Sequence, residues 1–76
     1  MATGYRFDEF TPEIGEEVHC FKTFDALKDF VDEQDDEEEF EDVKFWKIHG
    51  DIIADEGGDD GWIIKVEDYD EIDLDD

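Results

Sequence analysis

The net charge of this chain limits how it can fold more than any other feature of its sequence. Its 76 residues include 28 Asp and Glu but only 6 Lys and Arg, which gives a formal charge of −22. Such a charge is typical of disorder when apolar residues are scarce, below about 20% for Leu, Ile, Val and Phe together. Here twenty of the 76 residues are of these four types, and 14% of the chain is aromatic. We therefore predict one small folded domain over residues 1–76, under strong electrostatic self-repulsion.

The clearest local pattern predicts a helix from about 24 to 34. Its apolar residues fall at helical spacing and form one stripe: Phe24, Leu27, Phe30 and Val31. Thr23 is a suitable N-cap, and Asp25 in the first turn suits the positive end of the helix dipole. Asp and Glu fill nine of the eleven positions over 32–42, where like charges four residues apart destabilise a helix. We expect the helix to end in this acidic segment and an acidic loop to follow.

Three segments have the alternation or the β-branched and aromatic composition of strands. The first covers residues 17–23. Two more, at about 43–54 and 62–74, are joined by a turn rich in Gly and Asp and form a C-terminal hairpin, with a bulge or bend expected at Gly50. The segment 5–15 is mixed and does not predict a strand. These elements predict an α+β fold, in which one helix packs on an antiparallel sheet of three to four strands in β-α-β-β order.

The residues that usually carry catalysis are scarce or badly placed. The chain has no Ser and no Asn, and Cys20 is its only cysteine. His19 is the neighbour of Cys20, and adjacent side chains of a strand point to opposite faces, so the two cannot form a thiolate–imidazolium pair. The negative field also works against a reactive thiolate. We predict that Cys20 is a small buried core residue, and that the protein has no catalytic residues, needs no cofactor and is not an enzyme.

A window over residues 56–67 resembles part of the calcium-binding loop of EF-hand proteins. Asp60, Gly61 and Glu67 match the fifth, sixth and twelfth positions of that loop. However, Glu56 replaces the first Asp, and Gly58 leaves the third position without a ligand. The flanking segments also have the pattern of strands and not of helices. We predict an acidic hairpin turn and no metal site, with weak divalent-cation binding as an alternative function.

The charge also limits the partners of the chain. Nucleic acids and anionic lipids are negative, and the six basic residues are scattered along the sequence, so we expect no direct nucleic-acid binding and no membrane binding. No apolar stretch approaches the ~20 residues that a membrane-spanning helix needs, and the N-terminal residues lack the pattern of a signal peptide. We therefore expect a cytoplasmic protein whose partner is basic.

The excess of acid is predicted to be functional, since solubility requires a net charge of only about 2–8 in a small domain. On a strand, residues i and i+2 lie ~6.6 Å apart on one face, and two base steps of one DNA strand advance ~6.8 Å. Alternating carboxylates, such as those of Glu71, Asp73 and Asp75, would therefore imitate the spacing of phosphates. We predict that the partner-binding residues are the acids of three segments: Asp35, Asp36, Glu37, Glu38, Glu39, Glu41, Asp42, Asp55, Glu56, Asp59, Asp60, Glu67, Asp68, Asp70, Glu71, Asp73 and Asp75.

In size, charge and mixed aromatic content, the whole chain resembles the small acidic DNA-mimic proteins of bacteriophages and mobile elements. These proteins inhibit restriction enzymes, nucleoid proteins of the HU type, CRISPR effectors and DNA-repair nucleases. The resemblance rests on composition, without a shared motif. It implies a viral inhibitor that binds a basic DNA-binding protein in the host cytoplasm, and such inhibitors often act as homodimers.

A second function is compatible with the same residues. Phe40, Phe45 and Trp62 lie among acidic residues and would serve as apolar anchors. The protein would then be an acidic adaptor, or an inhibitor of the transcription machinery, whose contact is mainly apolar. The two functions differ in whether carboxylates or aromatic side chains dominate the contact.

Overall fold

Two long antiparallel strands form the centre of the sheet. The computed structural model describes residues 1–34 and 42–74. In chain order its elements are β1 (Ala2–Asp8), β2 (Glu17–Cys20), α1 (Phe24–Glu33), β3 (Lys44–Asp55) and β4 (Trp62–Ile72). The strand order in the sheet is β1-β3-β4-β2, and neighbouring strands are antiparallel. The predicted α+β class, with one helix and an antiparallel sheet, is therefore confirmed.

The predicted β-α-β-β order is wrong, because β1 precedes the strands that the sequence indicated. Its pairing register places Gly4 opposite Ile48 and Arg6 opposite Trp46, so these two positions of β1 face the core. A Cβ at Gly4 would lie 2.5 Å from the Cβ of Cys20, and only glycine fits so close to the neighbouring strand. An inward face made of glycine and arginine shows no hydrophobic alternation, and this is why residues 5–15 did not predict a strand.

The sheet curls until its two outer strands meet. The backbone N–H of Tyr5 donates to the carbonyl oxygen of Phe21 at 2.9 Å, and the N–H of Phe21 donates to the carbonyl oxygen of Tyr5 at 2.6 Å. These bonds join β1 to the residue that follows β2. Six buried side chains fill the inside of the curl: Val18, Cys20, Trp46, Ile48, Ile64 and Val66. Among the described residues, none with a polar or charged side chain is buried.

Helix α1 lies against the outer side of β1. Leu27 is fully buried. The ring of Phe30 stacks on that of Phe7 with 5.7 Å between centroids, and the ring of Phe24 lies 5.8 Å from that of Tyr5. The apolar stripe that predicted the helix is therefore the side that meets the sheet, and the opposite side is left to solvent.

The remaining boundaries lie within a few residues of the predicted ones. β3 begins and ends one residue later than predicted, and its register with β4 shifts between His49 and Gly50, where the bulge was expected. β2 ends at Cys20, three residues early, because the chain must leave the sheet before Thr23 caps α1 with its hydroxyl. β4 ends at Ile72, two residues early.

Candidate functional site: an acidic surface on the outer side of the sheet

Almost every acidic side chain in the described part of the chain points to solvent. Twenty of the 28 acids fall within residues 1–34 and 42–74; nineteen of these are exposed and Asp8 is half-buried. This placement follows from the high cost of burying a carboxylate without a paired cation. The exposed acids include these members of the predicted surface: Asp42, Asp55, Glu56, Asp59, Asp60, Glu67, Asp68, Asp70, Glu71 and Asp73. The other predicted members lie outside the described residues: Asp35, Asp36, Glu37, Glu38, Glu39, Glu41 and Asp75.

The outer face of β4 carries two carboxylates at strand spacing, which we call the strand row: Asp68 and Asp70. In the register with β3, Asp70 lies opposite Lys47 and Asp68 lies opposite His49. Tyr69, between them, points to the other face and packs against the core. Side chains two residues apart on one face of a strand lie ~6.6 Å apart. The strand row therefore has the phosphate-like spacing that the sequence argument requires.

The acids at the end of β4 do not extend the strand row, although their alternation in the sequence predicted a regular row there. The strand ends at Ile72, so Glu71 belongs to it and Asp73 follows it. Glu71 also lies on the opposite face of β4 from Asp70, because neighbouring residues of a strand alternate. Asp75 lies outside the described residues. The regular spacing on this part of the sheet is thus limited to the strand row.

Helix α1 presents four further acids, which the sequence argument did not assign to the site. We call them the helix row: Asp25, Asp29, Asp32 and Glu33, all exposed. With about 3.6 residues per turn, they lie on the side of the helix opposite the stripe that packs on β1. Residues four apart rise about 6 Å along the axis, which is again close to the spacing of two base steps. The near-fourfold period of these acids in the sequence was the signal that would have found them.

A groove lies where the start of β3 and the end of β4 meet the start of helix α1. Helix α1 covers the outer face of β1, the strand row lies on the outer face of β4, and β3 runs between them. The groove has a volume of about 730 Å³, and its lining includes the rings of Tyr5, Phe24 and Phe45 together with two ammonium groups and two carboxylates: Lys44, Lys47, Glu71 and Asp73. The charges of both signs lie beside the rings, and Lys44 is 4.0 Å from Glu71. The groove therefore offers aromatic rings on which an apolar side chain of a partner can pack.

Few of the described acids are neutralised by a nearby cation. The described pairs within 4.0 Å of a basic nitrogen include Asp8 beside Arg6, Asp55 beside Lys22, Glu56 beside His19, Asp70 beside His49 and Glu71 beside Lys44. Asp68 and the entire helix row are not among these described pairs. The helix row therefore projects a negative field that is mostly uncompensated, and it extends about 8 Å into solvent at physiological ionic strength. In the strand row, Asp70 has His49 beside it.

Asp55 is held by contacts within the β3–β4 hairpin. Its Oδ1 accepts a hydrogen bond from the backbone N–H of Gly57 at 2.9 Å, and its Oδ2 accepts one from the indole N–H of Trp62 at 3.3 Å. The Gly57 bond above all, with the charge of Lys22, lowers the pKa of Asp55 from its ordinary value. Trp62, a predicted anchor, is half-buried, and the Lys22 ammonium lies 5.7 Å from its ring centre. Both residues stabilise the turn and have less freedom to meet a partner.

Of the residues that could hold a metal or carry catalysis, three lie together: Thr3 Oγ1 is 3.2 Å from Nδ1 of His49, and Nε2 of His49 is 3.2 Å from Oδ2 of Asp70. Within residues 1–34 and 42–74, no three His, Cys, Asp or Glu side chains form a group that could hold a metal ion. The window that resembles an EF-hand loop, residues 56–67, forms a hairpin turn and the first half of β4. Cys20 is buried, as predicted, and burial raises the pKa of its thiol to about 11. His19 points to solvent on the other face of β2.

We expect the protein to become more stable as salt is added. Repulsion among the exposed acids weakens when the Debye length falls, while the buried core is unaffected. The melting temperature should rise by about 5–10 °C between about 20 mM and 0.5 M NaCl, because 1 kcal/mol shifts a domain of this size by about 4–8 °C. Circular dichroism melts in NaCl and in choline chloride would measure this shift. A melting temperature that falls with both salts would contradict the self-repulsion.

No known protein family, no curated protein and no solved structure matches the chain. In the described part of the chain, α1 has neither the length nor the apolar content that crossing a membrane requires.

Proposed function

We propose that this protein is a DNA-mimic inhibitor. Its exposed carboxylates occupy the DNA-binding surface of a basic host protein, such as a nucleoid protein of the HU type or a restriction or CRISPR nuclease. The observation that carries the proposal is the exposure of nineteen described acids on a folded scaffold. Some of them form the helix row, on the helix that covers the outer face of β1, and others the strand row, on the outer face of β4.

The spacing within the rows supports mimicry of a phosphate backbone. Acids of the helix row recur every ~6 Å and those of the strand row every ~6.6 Å, near the ~6.8 Å of two base steps. The longest dimension of the molecule is 32 Å, which corresponds to about nine base steps of ~3.4 Å. Proteins that bind DNA place many of their hydrogen bonds on phosphate oxygens. Lys and Arg side chains arranged for those oxygens would meet carboxylate oxygens at similar intervals here.

Inhibition by this route requires binding alone. The negative field accelerates encounter with a basic partner, and the bound rows then exclude DNA from the DNA-binding surface of that partner. No catalytic residue or cofactor takes part in this mechanism. A net charge of about 2–8 is enough to keep a small domain soluble. The additional negative charges of this chain destabilise its folded state through repulsion, so solubility alone does not explain them.

The proposal is tested by competition with duplex DNA. A fluorescent duplex of ~20 base pairs is bound to a purified HU-type protein, a restriction endonuclease or a CRISPR effector, and the protein is titrated in while anisotropy is recorded. We expect displacement of the duplex from at least one of them. The affinity should fall at least about tenfold between about 50 and 200 mM NaCl, since phosphate-like contacts release counterions.

Two double variants test whether the competition depends on the strand row or on net charge alone. Asp68→Asn with Asp70→Asn removes the strand row, and we expect about 5- to 30-fold weaker competition, because exposed ion pairs contribute up to about 1 kcal/mol each. Glu9→Gln with Glu13→Gln removes the same charge from the exposed loop before β2 and is the matched control. Equal losses in the two variants, or competition that does not change with salt, would count against the proposal.

The groove supports a second candidate, an acidic adaptor that binds through aromatic contacts. Phe45 lines the groove and its ring lies 6.4 Å from that of Phe7, so an apolar side chain of a partner could dock beside it. Trp62 is a weaker candidate, because Asp55 and Lys22 hold it in the hairpin. Phe40 lies outside the described residues.

Phe45→Ala separates the two functions. If this variant keeps its circular dichroism spectrum but no longer binds the partner, while loss of the strand row has little effect, the adaptor function is supported. If the strand row dominates and Phe45→Ala binds normally, the DNA-mimic function is supported.

A further inference from the structure

Apart from the outer edges of β1 and β2, which are joined by one isolated bridge between Tyr5 and Phe21, the described sheet has two stretches of open edge in its central strands. β1 pairs with β3 only from Lys44 to Gly50, so on that side no described residue pairs with β3 over residues 51–55. β2 pairs with β4 only from Trp62 to Lys65, so residues 67–72 of β4 have no described strand beside them on the other side. An open edge offers unpaired N–H and carbonyl groups to which an additional strand can bind.

The two open edges carry opposite kinds of side chain. Residues 67–72 include four exposed acids, and charged side chains on an edge oppose the addition of a strand: Glu67, Asp68, Asp70 and Glu71. On the β3 edge, Ile52 and Ile53 are exposed to 40% and 45% of their surface. Of these two edges, the β3 edge is thus the one that presents apolar surface at its centre, with its exposed acids, Asp51 and Asp55, only at its ends.

Acids flank the apolar pair on both sides, and this determines which occupant fits. Asp51 precedes Ile52, and Asp55 and Glu56 follow Ala54, all three acids being exposed. A second copy paired antiparallel about Ile53 would place Asp51 opposite Asp55, and like charges directly opposite each other destabilise a sheet. The overall charge of −22 adds to this repulsion. A strand with an apolar centre and Lys or Arg at both ends would instead match the edge in polarity and in charge.

We infer that the open edge of β3, residues 51–55, binds an extended segment of a partner protein as an added strand, with apolar residues at its centre and basic residues at its ends. Main-chain hydrogen bonds provide the binding, and the flanking charges select the sequence. The register shift between Ile52 and Ala54 limits the regular pairing to a few residues, so a single short segment binds weakly. This edge is at the opposite end of β3 from the groove and does not depend on the DNA-mimic function.

A synthetic peptide tests the inference on the intact protein. The probe has the centre Val-Ile-Val between Lys-Arg pairs and blocked ends, and is titrated at ~150 mM NaCl to screen nonspecific attraction. We expect saturable binding with a Kd on the order of 100 μM. Amide shifts in NMR spectra should change mainly over residues 51–55, and hydrogen exchange there should slow. Two control peptides, one with Gly-Ser-Gly at the centre and one with N-methylated central amides, should bind at least about tenfold more weakly.

Matched variants locate the binding site. Ile53→Lys should reduce the affinity for the probe about tenfold or more, because it places a cation on the edge and removes an apolar contact. Ile14→Lys makes the same chemical change on the loop between β1 and β2, where Ile14 is 63% exposed, and should leave the affinity nearly unchanged.

Three results would overturn the inference. The first is equal binding of the probe and both control peptides, since charge alone would then explain it; this comparison needs no variant and stands even if Ile53→Lys fails to fold. The second is equal weakening by Ile14→Lys. The third is a dimer in sedimentation experiments that Ile53→Lys dissociates, which would assign the edge to a second copy. None of these results depends on the duplex competition, so the two proposals can fail separately.

Discussion

Replacing Gly50 by alanine should destabilise the protein by about 3 kcal/mol or more, which is at the upper end of what overpacking costs. A Cβ at this position would lie 1.9 Å from the carbonyl oxygen of Lys65 and 2.9 Å from its carbonyl carbon. Both atoms belong to the backbone of β4, so no side-chain rotation relieves the collision, and β3 and β4 must separate at the bulge. Because a domain of this size has only about 3–5 kcal/mol of net stability, we expect the variant to be largely unfolded.

Gly57→Ala is the matched control for this variant. Gly57 lies in the turn between the same two strands at a φ of 85°, but a Cβ there would have nothing within 4 Å. Alanine at this position therefore adds backbone strain alone, about 1–2 kcal/mol. Urea denaturation followed by circular dichroism measures both variants. A Gly50→Ala variant as stable as Gly57→Ala would refute the close approach of β3 to β4.

The elements with one buried side were predictable from the sequence. In α1 and in the β3–β4 hairpin, apolar residues recur with the period of the element, because one face of each packs against the core. Leu27, Ile48 and Ile64 are fully buried and stand at the centre of these patterns. The helix and the hairpin were therefore located to within one or two residues, and the bulge at Gly50 was identified from the glycine alone.

β1 was not predictable in this way, because the residues on its inward face are determined by contacts with other strands and not by a local apolar pattern. Gly4 is small so that β1 can approach Cys20 and Ile64. Arg6 faces inward, and its guanidinium lies 2.6 Å from the carboxylate of Asp8. The closure of the sheet between Tyr5 and Phe21 also joins residues that are distant in sequence. The hydrophobic pattern of a short segment does not indicate contacts with distant segments, so neither β1 nor the curl of the sheet was expected.

The candidate site was predictable in kind but not in layout. Exposed acids pack against nothing, so the sequence pattern does not distinguish a binding surface from a solvated one. Asp25 and Asp29 join the site only because α1 packs with their side outward. Asp68 and Asp70 share the outer face because β4 is in register with β3, whereas the alternation had suggested a row formed by Glu71, Asp73 and Asp75. Which acids lie near one another depends on the tertiary structure, which a local sequence pattern does not contain.

Raising the pH from 9 to 11 should remove about 2–3 kcal/mol of stability through Cys20 alone, at about 1.4 kcal/mol for each pH unit. Cys20 is only 1% exposed, and burial raises its pKa from 9.0 to about 11, although the charge of Arg6 acts in the other direction. Below pH 9 the thiol is protonated in both the folded and the unfolded chain, so its full contribution is present. Between the two values only the unfolded chain releases the proton, and stability falls until the folded thiol ionises as well.

Cys20→Ala separates this effect from the titration of Lys and Tyr in the same pH range. The variant loses packing in the core and should be less stable at pH 7, by up to a few kcal/mol. Its stability should nevertheless fall less steeply above pH 9, so that the two proteins differ less at pH 11 than at pH 8. Urea midpoints measured at each pH in the presence of a reductant give both profiles. Parallel profiles would show that Cys20 ionises as easily in the folded protein as in the unfolded chain, contrary to its place inside the curled sheet.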